Sequence, residues 1–174
     1  MNDRDLLPQS ASVPPSDYII IGGTGDLSMR KIFPAFLLRY AAGQVTDDFR
    51  FYVVGRQNID RETFKAQLKP HCKDAFESVD NAEEVFENFT ALIDMVCVDI
   101  SQTNSMAVLA DILLPKTQAD RPMIFYLSIA PSLFSAACQR LHEAGLVLPQ
   151  SRLVVEKPLG HDYASAQAIN DELL

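Results

Sequence analysis

The chain has 174 residues, 48% of them apolar, and a net charge of -8 made of interspersed acids and bases. That balance describes a soluble globular domain with a real core and excludes both the basic footprint of a nucleic-acid binder and a disordered tail. No apolar run approaches the ~20 residues that cross a bilayer, so no membrane partner is expected.

The first ten residues, "MNDRDLLPQS", lack the apolar core of a secretory signal, and residues 1–16, with Pro8, Pro14 and Pro15, read as a mobile leader to one domain over residues 17–174. From there short apolar runs alternate with helical patterns. "YIIIG" (Tyr18 to Gly22) is a first strand, apolar throughout and so buried on both faces. The turn "GGTGDLSMRKIFPAF" follows, and Gly43 ends the first helix as a left-handed cap. "FRFYVVG" (Phe49 to Gly55) is a second strand, and Asp60 caps a helix running to about Lys73. Asp80 with Glu83 has the spacing of a capping box, while Phe76, Val79, Phe86, Phe89 and Ile93 recur at helical intervals among solvated acids. "MVCVDI" (Met95 to Ile100), "MIFYLSI" (Met123 to Ile129) and "RLVVEK" (Arg152 to Lys157) are the remaining strands, and Gly145 ends the helix before the last of them. The three cysteines, Cys72, Cys97 and Cys138, have no metal spacing, so no metal site is expected; Cys97 and Cys138 read as core thiols of a reducing cytosol.

Strands alternating with helices predict an α/β fold: a Rossmann-like, doubly wound, mainly parallel sheet with helices on both faces. In such sheets ligands bind beyond the carboxyl ends of the strands. At the first exit, Gly22, Gly23 and Gly25 make a turn whose amides are expected to face outward, and the next helix offers its N-terminus to a pyrophosphate. Asp26 is expected to complement the helix dipole while satisfying free N–H groups, Ser28 to let helix pack close on strand, and Pro34 to kink or restart the helix. The second exit, "VVGRQ", offers Arg56 where an NAD-type site would place an acid, which suits a 2′-phosphate and points to NADP; an exposed loop arginine is the alternative. The third exit places Asp99 and Ile100 near an adenosine, and the fourth runs into the donor-free pair Ala130-Pro131 beside a nicotinamide. The fifth puts Lys157, after Glu156 and before Pro158, at the end of an apolar strand, where its charge needs a ligand phosphate or an acid as partner. His71 and His142 read as solvated helix residues and His161 as the neighbour of a helix start.

Taken together, "GGTGDLSMRKIFPAF", "VVGRQ", "VDIS", "FYLSIAP" and "EKPLG", in this order and at these intervals over Tyr18 to Leu174, resemble the glucose-6-phosphate dehydrogenase family. The resemblance implies an NADP-binding domain of an enzyme that oxidises glucose 6-phosphate to a lactone at the head of the pentose phosphate pathway, with the intact protein a homo-oligomer. It implies that Gly22, Gly23, Thr24, Gly25, Asp26, Leu27 and Ser28 contact the coenzyme phosphates and Arg56 the 2′-phosphate. It further implies that Asp99 and Ile100 border the adenosine, and that Lys157 touches both coenzyme and substrate. Met29 stands where the family commonly has Lys or Arg, and Phe134 where some relatives have tyrosine. The family's R-I-D-H-Y-L-G-K segment and the domain carrying its histidine base do not occur in this sequence, so no catalytic residue is assigned within it and the chain alone is expected to be inactive. Glucose-fructose oxidoreductases and inositol dehydrogenases, which share a Rossmann turn and an E-K-P motif, are an enzymatic alternative. A non-catalytic nucleotide-sensing module is another.

Overall fold

The computed structural model describes residues 13–156. Five strands, β1 (Asp17–Ile21), β2 (Arg50–Gly55), β3 (Ile93–Cys97), β4 (Met123–Leu127) and β5 (Ser151–Val155), form one all-parallel sheet in the order β3-β2-β1-β4-β5. Helices α1 (Phe33–Ala41), α2 (Arg61–Leu68), α3 (Lys73–Ser78) and α4 (Ala82–Ala91) lie in the crossovers on the β2–β3 side. Helices α5 (Ala107–Leu113) and α6 (Phe134–Glu143) lie in the crossovers that return through β4 and β5. Because successive residues of a strand point to opposite faces, the apolar run of β1 splits cleanly. Ile20 joins Phe33, Leu37, Phe64 and Phe86 in one core, and Ile19 and Ile21 join Leu109, Leu113, Ala137 and Leu141 in the other. Helices α1–α4 thus cover one face and α5–α6 the opposite face, the doubly wound arrangement expected from the alternation.

The sheet order reverses beside β1, where the chain leaves toward α1 on one face while its other neighbour, β4, leaves toward α6 on the opposite face. A crevice opens between such diverging connections, at the carboxyl edge of the sheet.

Both left-handed helix ends form as expected. Gly43 and Gly145 have φ of 70° and 68°, and the paired bonds Gly43 to Tyr40 and Gln44 to Arg39, repeated at Gly145 and Leu146, close α1 and α6. Asp60 caps α2, accepting from the Thr63 amide at 2.7 Å. The helix ends at Leu68 and tightens into a short 3₁₀ turn, Lys69–His71, before Lys73. The apolar series from Phe76 to Ile93 is split over α3, the extended residue Val79 that ends it, α4 and the first residue of β3. Asp80 does not cap α4. Asn81, at φ 54°, takes the capping position without a side-chain bond, and Glu83 turns to Lys69 at 2.8 Å. Strand β3 is an edge and is only partly covered: Ile93 and Val96 are buried while Asp94 and Cys97 face solvent, so Cys97 is exposed rather than in the core; Cys138 is half-buried. Cys72 is the buried thiol, and burial pushes it up to about 11.

The amino edge of the sheet is held by a charge that the sequence reading passed over. Asp17, 5% exposed in its side chain, receives both Nε and Nη2 of Arg50 at 2.6 and 2.7 Å and Nε of Arg121 at 2.6 Å. Arg121 also donates to the Asp48 and Ser16 carbonyls, and Arg50 to that of Lys116. One carboxylate therefore ties the starts of β1, β2 and β4. A buried carboxylate stays charged only with such donors around it. Asp17→Ala, which leaves two arginines without their partner, is expected to lower the unfolding free energy by about 3 kcal/mol, measured by urea denaturation. A loss under about 1 kcal/mol, the range of a surface pair, refutes the clamp.

Candidate functional site

Where β1 ends, the chain turns at Gly22, whose φ is 83°. A Cβ here would collide with the Ser128 carbonyl oxygen and come within 2.8 Å of Ile129 Cγ2. At Gly23 it would lie 2.8 Å from Val53 Cγ1 and 2.9 Å from the Ile20 carbonyl. The turn is thus wedged between the exits of β2 and β4, and only glycine fits the left-handed Gly22 position. Thr24 then leans on β2, its Oγ1 3.0 Å from where a Gly55 side chain would begin.

The amides do not divide as the sequence suggests. Gly22 N–H donates to Val54 at 2.8 Å, Gly23 N–H to Ile20 and Val54 at 3.1 Å, and Gly25 N–H to Gly22 at 2.9 Å, so all three glycines spend their donors closing the turn. The first helical bond runs from Met29 to the Gly25 carbonyl. The amides of Thr24, Asp26, Leu27 and Ser28 have no acceptor among the described residues. They are the free donors of a helix N-terminus. Asp26 does not satisfy them: its side chain is 80% exposed and pairs with Arg30, one turn on. Leu27 is exposed, and Ser28 is buried, donating to the Gly22 carbonyl at 3.3 Å. Ser28 therefore serves the close packing expected of it.

Pro34 restarts the helix after a short first turn, as expected. Ser28–Ile32 forms a π-helical turn in which the Phe33 amide bonds to Ser28, five residues back, and Pro34 lies in the first turn of α1. The wider turn absorbs a position that has no N–H to give. Met29 is buried under this helix, which accounts for an apolar residue where a cation is common; Phe134 is likewise packed in the core of α6.

Over this turn lies a cleft of about 440 Å³ at the carboxyl edge. Gly22, Thr24 and Gly25 form its floor. Arg56, Asp99, Ile100 and Ser101 line the β2–β3 side, and Ser128, Ile129, Ala130 and Leu133 the β4 side. The structure thus brings together six of the expected residues, Gly22, Thr24, Gly25, Arg56, Asp99 and Ile100. Gly23, Asp26, Leu27 and Ser28 shape the turn and helix beside the cleft without lining it, and Lys157 and His161 lie outside the described residues. Arg56 is exposed and makes no side-chain hydrogen bond or ion pair among the described residues; its carbonyl accepts from the Cys97 thiol at 3.5 Å. Asp99 is turned back on its own loop, accepting from Ser101 Oγ at 2.7 Å and from Ser101 N–H at 3.0 Å. Those Ser101 bonds, with the Arg56 guanidinium adding to them, hold its carboxyl below the usual range. On the other flank the Tyr126 hydroxyl donates to Glu156, and burial together with that carboxylate raises the phenol well above its ordinary value. His71 and His142 do not line the cleft.

Sequence reasoning missed Ser101 and Ser128. Ser101 follows the strand, and Ser128 hides inside an apolar run, so neither carries a motif of its own. Uncommitted amides at a helix start, a glycine cradle and one unpaired guanidinium fit a phosphate-bearing dinucleotide.

Known proteins resemble the chain in sequence and in fold. The family described as glucose-6-phosphate dehydrogenase, NAD binding domain, matches residues 19–174. Glucose-6-phosphate 1-dehydrogenase of Gluconobacter oxydans (strain 621H) is 38% identical over 159 residues, covering 91% of this chain and 32% of that protein. The enzyme of Mycolicibacterium smegmatis is 38% identical over 166 residues, with the same coverage. The crystal structure of glucose-6-phosphate 1-dehydrogenase from Mycobacterium avium superposes with a TM-score of 0.77 at 27% identity, over 92% of this chain and 33% of that one. A glucose-6-phosphate dehydrogenase in complex with its substrate glucose-6-phosphate, 24% identical, shares the fold with a TM-score of 0.80. The chain spans about a third of the length of these relatives. It belongs to the glucose-6-phosphate dehydrogenase family, within the nicotinamide-dinucleotide-binding domain.

Two glycines with positive φ test the wedge. Gly22→Ala combines a left-handed alanine, about 1–2 kcal/mol, with overlap on β4 that adds about 1–3 kcal/mol. Gly43→Ala has a φ of 70° but nothing within 4 Å of the new methyl, so only the backbone cost applies. Urea denaturation is expected to show Gly22→Ala losing at least twice the stability lost by Gly43→Ala; equal losses refute the wedge.

Proposed function

We propose that residues 17–174 are the coenzyme domain of a glucose-6-phosphate dehydrogenase. In this reading the domain holds NADP while glucose 6-phosphate is oxidised at C1 to 6-phosphoglucono-1,5-lactone. The observation that carries the choice of NADP is Arg56, a guanidinium without an ion-pair partner at the exit of β2, where the nearby carboxylate of Asp99 is already engaged by Ser101. A planar guanidinium matches a phosphate monoester with two parallel charge-assisted bonds, while an acid at that exit would serve a bare ribose hydroxyl.

NADP, when bound, supplies the acceptor for a hydride. The chain's own residues bind and orient. The free amides of Thr24, Asp26, Leu27 and Ser28 offer donors to the pyrophosphate, and the glycine turn lets the backbone approach it. Ile100 borders the adenosine, and Lys157 contacts coenzyme and sugar phosphate together, aligning the reacting carbon. A base must remove the C1 hydroxyl proton as the hydride leaves, and no histidine lines the described cleft.

Arg56→Ala in this chain is expected to weaken NADP roughly 10-fold or more in titration calorimetry while leaving NAD nearly unchanged. Equal weakening of both coenzymes excludes Arg56 as the selector. Because a positioned acid–base group contributes roughly 10²–10⁴ in rate, the 174-residue chain is expected to give no turnover of glucose 6-phosphate with NADP above blank. Measurable turnover would place the base within this chain.

A further inference from the structure

Among the described residues, three buried side-chain atoms have no hydrogen-bond partner: Ser105 Oγ, Arg140 Nε and Ser128 Oγ. Ser128 alone of these residues lines the cleft. Its backbone is held on both sides. The N–H donates to Ile21 at 2.8 Å, extending the β1–β4 ladder, and the carbonyl is the atom against which Gly22 is wedged. That commitment leaves the residue no freedom to swing its hydroxyl elsewhere by shifting the chain. A hydroxyl shielded from water and left unpaired in the free protein is a group whose partner arrives with the ligand.

The topology says which part of the ligand this is, given the coenzyme reading proposed above. Arg56 and Asp99 lie on the β2–β3 side of β1, the glycine turn lies at the end of β1, and Ser128 lies just past the end of β4, the opposite neighbour of β1. A dinucleotide with its 2′-phosphate at Arg56 and its pyrophosphate over the turn extends its other half across β4. We infer that the Ser128 hydroxyl is a binding residue for the nicotinamide-riboside half of the coenzyme, donating its proton to an oxygen of that half. The neighbouring wall of Ile129, Ala130 and Leu133 is apolar, so this hydroxyl is the one side-chain donor on that side of the described cleft.

The test compares two ligands on the full 174-residue chain and its Ser128→Ala variant by titration calorimetry: NADP, and adenosine 2′,5′-bisphosphate, which keeps the adenosine and 2′-phosphate but lacks the nicotinamide riboside. Ser128→Ala is expected to weaken NADP about 3- to 10-fold, the range for one neutral hydrogen bond, and to leave the bisphosphate unchanged. The melting temperature of the unliganded variant is expected to hold or rise, since the substitution removes an unpaired buried hydroxyl; a hydroxyl with a structural partner would lower it. Unchanged NADP affinity, equal weakening of both ligands or a marked drop in melting temperature overturns the inference while leaving the coenzyme reading intact. A wild-type chain that binds neither ligand overturns the coenzyme reading and this inference with it.

Discussion

The contact between Gly22 and the Ser128 carbonyl is the constraint on which the rest of the site depends. It forces the exits of β1 and β4 together at the point where their following helices part to opposite faces. Space for even one methyl group is absent, so the turn takes a left-handed residue and closes on itself through the three glycine amides. Closure at Gly25 delays the first helical bond until Met29. The three amides in between, those of Asp26, Leu27 and Ser28, and that of Thr24 before them are left without an acceptor among the described residues. A wider, side-chain-bearing turn would start the helix in a different register and cover those donors.

The opposite edge of the sheet is built on the reverse principle. There the chain buries a full charge, Asp17, and surrounds it with guanidinium donors and the carbonyls that hold them in place. Such a cluster favours one arrangement steeply, because any slip of β1 against β2 or β4 strands a charge in low dielectric. Register at the amino edge fixes register at the carboxyl edge four residues later, where Ile21 meets Val54 and Leu127, and with it the height of the turn that follows. Stability and binding thus reside at two ends of the same three strands. Asp17 is remote from the ligand edge and still sets how closely Gly22 meets Ser128.

What the sequence disclosed and what it hid follow from the range of the interactions involved. Strand runs, the left-handed caps at Gly43 and Gly145 and the Asp60 cap depend on a few neighbouring residues, so spacing alone reveals them. Asp80 failed as a cap because Asn81 could adopt the left-handed region and shift the helix start by one residue, a competition between two local solutions. Cys97 was misplaced because apolar character does not say whether a strand is central or at an edge. In the site, Gly22, Thr24, Gly25 and Arg56 were legible from the turn pattern and strand exits, whereas Asp17, Ser101 and Ser128 matter through contacts made across the sheet or within one loop. The pairing of Asp26 with Arg30 in place of the free amides and the commitment of the glycine amides are likewise consequences of packing, not of residue type.

An acidic chain is an unexpected host for an anionic coenzyme. At a net charge of -8 the long-range field opposes the approach of a polyphosphate, but at physiological salt that field fades over about 8 Å. Within that distance the charged side chains lining the described cleft are Arg56 and Asp99, and Asp99 accepts two bonds from Ser101 at Oδ1. Asp26, the acid nearest the turn in sequence, faces solvent and is compensated by Arg30. What remains at short range is one unpaired cation and a row of uncompensated N–H dipoles, both favourable to an anion. Neutral donors also bring less of the counterion penalty that a lysine-lined groove would pay in the free state. Raising salt should therefore weaken binding far less than for a site built from several cations, because most of the attraction comes from dipoles fixed in the backbone. Calorimetric titration of NADP at 50 and 500 mM salt reads this directly: a shallow dependence is expected, about two charges' worth for Arg56 with Lys157, and a steeper one would mean that further cations carry the binding.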